Sequence, residues 1–137
     1  MMKNRLLMLV ALVCMAMGMA AQDMTTAQQD SLKKVGEEYY KKGNAFWKDK
    51  DVDKALTYYG MAAEAGNAEA QYLLALLCIE GKKMVQDYEK AVEWLEKAAV
   101  QGHKDAQKSL ASIYYQGKIV QKDLEKAQYW ALKYKQE

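Results

Sequence analysis

Through the middle of this chain, apolar residues return at steps of three and four. After Asp87 they are Ala91, Trp94, Leu95, Ala98 and Ala99, and Glu89, Lys90, Glu93, Glu96 and Lys97 fill the places between them. That spacing gathers small and aromatic side chains on one face of a helix and charges on the other. Asp87 precedes the first turn, where a carboxylate can accept the free amide hydrogens. Gly102 follows the last turn, where a residue that tolerates the left-handed conformation ends a helix. Upstream, the segment from about Glu69 to Ile79 predicts an earlier helix that sets Ala70 and Ala75 against Leu74 and Leu77. Small side chains let two helix axes approach closely, and the Trp of the next helix fills the remaining space. Together the two segments read as one helix-turn-helix unit.

The unit is repeated. Ala55, Ala91 and Ala127 stand 36 apart, as do Lys54, Lys90 and Lys126, then Asp51, Asp87 and Asp123, and then Tyr58, Trp94 and Trp130. Gln71 matches Gln107 at the same step, Leu74 matches Leu110, Ala75 matches Ala111, and Gly66 and Gly81 match Gly102 and Gly117. A period shared by so many positions marks an array in which each unit buries its apolar face against its neighbours. The expected fold is all-α, a short right-handed α-solenoid of three helix-turn-helix repeats at about 31–66, 67–102 and 103–137. Three units is about the minimum for a stable array. The first unit differs: Gly43 to Ala55 is 12 residues whereas Ala75 to Ala91 is 16, so its inner loop is four residues shorter.

Two stretches, AQYLLALLCIEGKKMVQDYEKAVEWLEKAAVQG from Ala70 and AQKSLASIYYQGKIVQKDLEKAQYWALK from Ala106, resemble Sel-one-like repeats, the longer-loop relatives of tetratricopeptide repeats. The resemblance rests on Ala70-Gln71, Leu74, Gly81, Asp87, Lys90-Ala91, Trp94 and Lys97-Ala98-Ala99, and on Ala106-Gln107, Leu110, Tyr114, Gly117, Val120, Asp123, Lys126-Ala127 and Trp130. Departures include Ala75 and Ala111 for the family's glycine, Cys78 for its tyrosine, Lys83 and Ile119 for its second loop glycine, and Tyr134 for an alanine. The first unit, from Gly43, resembles a plain tetratricopeptide repeat.

The first twenty residues follow another pattern. Lys3 and Arg5 lead an apolar run from Leu6 to about Met17, followed by Gly18-Met19-Ala20. This is the three-part layout of a secretory signal peptide, with cleavage expected after Ala20. The run is shorter than the ~20 residues that cross a bilayer. Val13 precedes Cys14 where lipoprotein signals carry a small residue, so a lipid anchor is not expected. The expected organisation is a signal peptide at 1–20, a polar flexible leader at 21–30 and the repeat domain at 31–137, in a periplasmic or secreted protein with no membrane span after cleavage.

Removing the signal changes the charge balance. Of 20 basic and 18 acidic residues, Lys3 and Arg5 fall in the signal and no acid does, so the remainder is formally neutral. Arg5 is the only arginine, which leaves no guanidinium fork for phosphate. A nucleic-acid partner would call for a basic surplus, and none is expected. Cys78 alone remains outside the signal, so no internal disulfide is expected and helix packing must hold the fold.

Catalytic and metal chemistry find little material. His103 is the only histidine, placed before a helix, and reads as an exposed turn residue. Cys78 sits where Tyr114 stands one unit on, and reads as a buried structural thiol rather than a nucleophile. Ser31 and Lys34 have the S-x-x-K spacing of penicillin-recognising enzymes, but S-D-N and K-T-G are absent. Secreted members of the resembled family that have been associated with β-lactam binding carry paired cysteines, which this chain lacks. No catalytic residue, metal ligand or cofactor is expected, and a β-lactam or cell-wall hydrolase stands only as a remote alternative.

What the resemblance implies is binding. In such arrays the first helices of the units line a concave surface, here expected to present Tyr40, Asn44 and Trp47, then Tyr72, Leu76 and Ile79, then Lys108, Ser112 and Tyr115. An aromatic and aliphatic groove of this kind suits an extended peptide or a partner's helix. About half of the set is expected to be exposed. Asn44 matches the asparagine of carboxylate-clamp tetratricopeptide domains, but Tyr40 stands where the clamp's first lysine would be, so a free C-terminal carboxylate is not the expected ligand. The expected role is a non-catalytic protein- or peptide-binding scaffold. The alternative is a homo-oligomer built through the last helix, whose outer face carries Ala131 and Tyr134.

Overall fold

The computed structural model describes residues 24–136. The expected signal peptide and the start of the leader lie outside the described residues. Six helices follow one another among the described residues: α1 (Thr26–Lys48), α2 (Val52–Glu64), α3 (Ala68–Glu80), α4 (Tyr88–Val100), α5 (Lys104–Gln116) and α6 (Leu124–Lys135). They form three pairs, α1 with α2, α3 with α4 and α5 with α6, and each second helix also packs on the first helix of the next pair. No helix among the described residues is long and apolar enough to cross a membrane.

Local chemistry sets each boundary. Asp51, Asp87 and Asp123, the three aspartates of the repeat, accept through Oδ1 the amide hydrogens of Lys54, Lys90 and Lys126 at 3.2, 2.9 and 3.0 Å. Each meets one of the donors that a helix start leaves unpaired. Helices α3 and α5 end at Gly81 and Gly117, both left-handed with φ of 68° and 64°. A Cβ at Gly117 would stand 2.6 Å from the Cβ of Lys122, so glycine is needed there for space as well as conformation. Helix α1 starts earlier than the polar leader suggested, at Thr26. Thr25 Oγ1 accepts from the Gln28 amide while the Gln28 side chain accepts from the Thr25 amide at 2.9 Å, a reciprocal cap that starts the helix without an apolar stripe.

The core is one continuous cluster in which alanines face large side chains. Ala55, Ala62, Ala70, Ala75, Ala91, Ala98 and Ala106 are fully buried and surround Leu74, Trp94, Leu95, Leu110 and Trp130. The seams between pairs carry one polar key each. Gln71 Nε2 donates to the Ala63 carbonyl and Gln107 Nε2 to the Ala99 carbonyl, both at 3.0 Å and both buried. These are the repeated glutamines of the sequence, and they join each first helix to the last turn of the helix before it.

Candidate functional site: a groove between consecutive first helices

The nine residues expected on the concave surface separate into two groups. Five of them, Trp47, Leu76, Lys108, Ser112 and Tyr115, are exposed, and Tyr40, Asn44, Tyr72 and Ile79 are half-buried. The three from the first pair gather around Tyr59, which is 2% exposed. Its hydroxyl donates to Asn44 Oδ1 at 2.8 Å, and its ring lies 5.9 Å from the Tyr40 ring and 6.2 Å from the Trp47 ring. Asn44 thus spends its acceptor inside the fold, and Tyr40 and Trp47 serve as walls for Tyr59.

The second group encloses open space. Tyr72, Leu76 and Ile79 on α3 face Lys108 and Ser112 on α5 across a groove of about 410 Å³. Asp105, Ser109 and Ile113 complete its lining and were missed in the sequence because the helical offset was counted along one stripe of α5 only. Tyr115, the ninth residue, is 64% exposed and belongs to an adjoining depression of about 460 Å³ between α5 and α6. Leu124, Gln128 and Ala131 line that second depression, and Ser112 borders both.

His103 is no exposed turn residue. Its imidazole caps α5, with Nδ1 accepting the Ala106 amide hydrogen at 3.2 Å. Nε2 lies 3.2 Å from Glu69 Oε1, and the ring packs on Tyr72 with 4.7 Å between centroids. The side chain is 9% exposed and fastens the end of the groove. The cap fixes the tautomer, since Nδ1 must carry a lone pair to accept. Asn67, 36 residues earlier, caps α3 in the same way through Oδ1 on the Ala70 amide, so the repeat itself held the signal.

The remaining candidates for chemistry are engaged in structure. Cys78 is 2% exposed, with Sγ 4.0 Å from Met84 Sδ, and burial followed by the Asp87 carboxylate pushes its thiol above the ordinary value. A thiol so placed resists forming the reactive thiolate. The Ser31 hydroxyl donates to the Ala27 carbonyl at 2.8 Å, inside its own helix, rather than facing Lys34 as a nucleophile would. The Tyr114 hydroxyl donates to Glu96 Oε1 at 2.8 Å, and burial followed by that bond raises its pKa. Among the described residues no three His, Cys, Asp or Glu side chains gather as a metal ion would need.

A family model for the Sel1 repeat matches residues 29–67, 68–103 and 104–133, and the chain belongs to this family. Sel1 repeat proteins are generally protein-interaction scaffolds. Among solved structures, the chain is similar to a Sel1 repeat protein from Oxalobacter formigenes, with a TM-score of 0.68 and 27% identity over 79% of this chain and 86% of that one. It is also similar to a protective antigen present in uropathogenic Escherichia coli strains that displays an SLR fold, with a TM-score of 0.60 and 30% identity. That match covers 77% of this chain and 22% of the longer antigen. A search of curated proteins finds no match.

Proposed function

We propose that this protein is a non-catalytic scaffold that works outside the cytoplasm and holds a protein or peptide in the groove of its first helices. The observation that carries the reading is the open groove between α3 and α5, where Leu76 stays 40% exposed beside Tyr72 and Ile79 instead of joining the core. An apolar side chain held in water on a rigid scaffold gains about 25 cal/mol for each Å² that a ligand covers. The polar groups around it, Lys108, Ser109 and Ser112, can orient what binds. Export rests on the layout of the first twenty residues, whose removal after Ala20 is checked by N-terminal sequencing of the protein recovered from cells.

Affinity capture from the native cell envelope tests the binding reading, with Leu76→Asp as control. Leu76 is exposed, so the variant is expected to fold and to lose the captured polypeptide. Equal capture by both chains would remove the groove from the reading. Self-assembly is a second reading, favoured by Leu132 and Tyr129 on α6, which are 54% and 52% exposed. It requires a solution mass that rises with concentration and falls in Leu132→Glu.

A further inference from the structure

The two depressions that meet at Ser112 have linings of different chemistry. The one between α3 and α5 is apolar along Tyr72, Leu76 and Ile79, and its charged lining residues are Asp105 and Lys108. The one between α5 and α6 is lined by Tyr115, Leu124, Ala127 and Ala131, with Ser112 and Gln128 as its polar members and no charge. Ser112 borders both. Its hydroxyl accepts from Gln116 Nε2 at 2.9 Å, which leaves the hydroxyl hydrogen free to donate.

The internal repeat shows what the second depression is shaped for. Ala75, Ala91 and Leu95 match Ala111, Ala127 and Ala131 of its lining one unit earlier and are fully buried. There α5 rests on Ala98 and Ala99, which are 0% and 1% exposed, and Gln107 bonds to the Ala99 carbonyl. In the last pair the corresponding residues are Tyr134 and Lys135. Two long side chains thus stand where the earlier unit has two alanines. Lys104 Nζ also donates to the carbonyls of Lys133, Tyr134 and Gln136, so the end of α6 is capped from within. The open space that remains suits a slimmer occupant than a helix.

Charge adds a direction. Asp105 lies in the first turn of α5, where the helix's own dipole favours an anion. Lys108 has no carboxylate partner among the described residues, and it borders the same groove. We infer that the paired depressions form one site for an extended peptide that places an apolar side chain in each, three residues apart, with an acidic residue beside the first anchor to meet Lys108. The spacing follows from geometry: neighbouring helix axes lie ~8–10 Å apart, and an extended chain of the polyproline II type advances ~3.1 Å per residue with three residues per turn, so residues three apart share a face and span that distance. Ser112, shared by both depressions, then meets the peptide backbone between the anchors. The inference rests on the groove reading above and gives that groove's ligand a length, a charge and a conformation.

A random dodecapeptide display library, selected against the full chain and against Leu76→Asp, Lys108→Glu and Ala131→Glu, tests it. The native chain is expected to enrich sequences with two apolar positions separated by two residues and an acid beside the first. Lys108→Glu should replace that acid by a basic residue. Ala131→Glu should erase the preference at the second apolar position and leave the first. Enrichment that is lost in Leu76→Asp but unaffected by Lys108→Glu and Ala131→Glu would keep the groove and overturn this inference. Further apolar positions four and seven residues from the first, the pattern of one helix face, would overturn it as well. No enrichment by the native chain would overturn both readings.

Discussion

Three glycines sit inside helices, Gly36 and Gly43 in α1 and Gly60 in α2, and the change to alanine should act on Gly43 and Gly60 with opposite sign. A helical glycine replaced by alanine gains ~0.5–1 kcal/mol, because the unfolded chain loses freedom it would otherwise recover. Gly60 has nothing within 4 Å of where its Cβ would stand, so Gly60→Ala should show that gain undiminished. At Gly43 the new methyl would lie 2.6 and 2.7 Å from two carbons of the Tyr59 ring. Carbon atoms rest at ~3.5–4.0 Å, so the ring must move by about 1 Å. It has nowhere to go: it is 2% exposed and tethered through its hydroxyl to Asn44. Overpacking of this kind costs ~1–3 kcal/mol, and a weakened Tyr59–Asn44 bond adds about 1 kcal/mol. Less the helical gain, Gly43→Ala should lose about 1–3 kcal/mol. Urea unfolding followed by far-UV circular dichroism reads both changes as shifts in midpoint at constant slope. A Tyr59→Leu change added to Gly43→Ala should recover part of the loss. If both glycines respond with the same sign, the account of Tyr59 as the fixed centre of the first pair is wrong.

Other expected outcomes follow from the same packing. Leu95→Ala, at a fully buried position, should cost ~2–5 kcal/mol in urea unfolding, whereas Leu76→Ala at the exposed groove position should leave the midpoint nearly unchanged and weaken ligand capture. His103→Ala should lose about 1 kcal/mol by removing the α5 cap, and His103→Asn should restore most of it, since asparagine performs that task at position 67. Cys78 should react with a thiol reagent only as fast as the chain unfolds, its rate rising with urea in step with the unfolded fraction. The raised Tyr114 pKa means that the folded chain holds this proton more tightly than the unfolded one does. That contribution is complete below the unfolded value of about 10 and is lost as pH rises above it. Alkaline unfolding should therefore be less steep with pH in Tyr114→Phe.

Much of this architecture could be read from the chain because its signals recur. Three aspartates at one spacing proved to be three helix caps, and the alanines and tryptophans at the same spacing proved to be the core. What escaped reading was either written once or depended on tilt between helices. Thr25 and Gln28 form a capping box in a segment with no apolar stripe, and the missing stripe concealed the first turns of α1. His103 departs from the usual capping residues, and its meaning emerges only beside Asn67. Tyr40, Asn44 and Trp47 gather around Tyr59 of the next helix, a contact across the pair that the spacing along α1 does not specify. The groove between α3 and α5 depends on how far two successive pairs splay, which periodicity alone does not specify. Asp105, Ser109 and Ile113 therefore emerged from the structure.

The glutamine at each seam bears on mechanics. Gln71 and Gln107 make the same buried bond to the preceding pair, at the same length. Sliding one pair along the next would break that bond and leave a donor and an acceptor without partners, at a cost of ~1–3 kcal/mol for each buried group. The alanine surfaces around it offer no comparable resistance to small rotations. The array should therefore be stiff in shear and compliant in flexure, like a hinge pinned at one point. A load on its ends would change the curvature of the first-helix face before it shifted any helix along its neighbour.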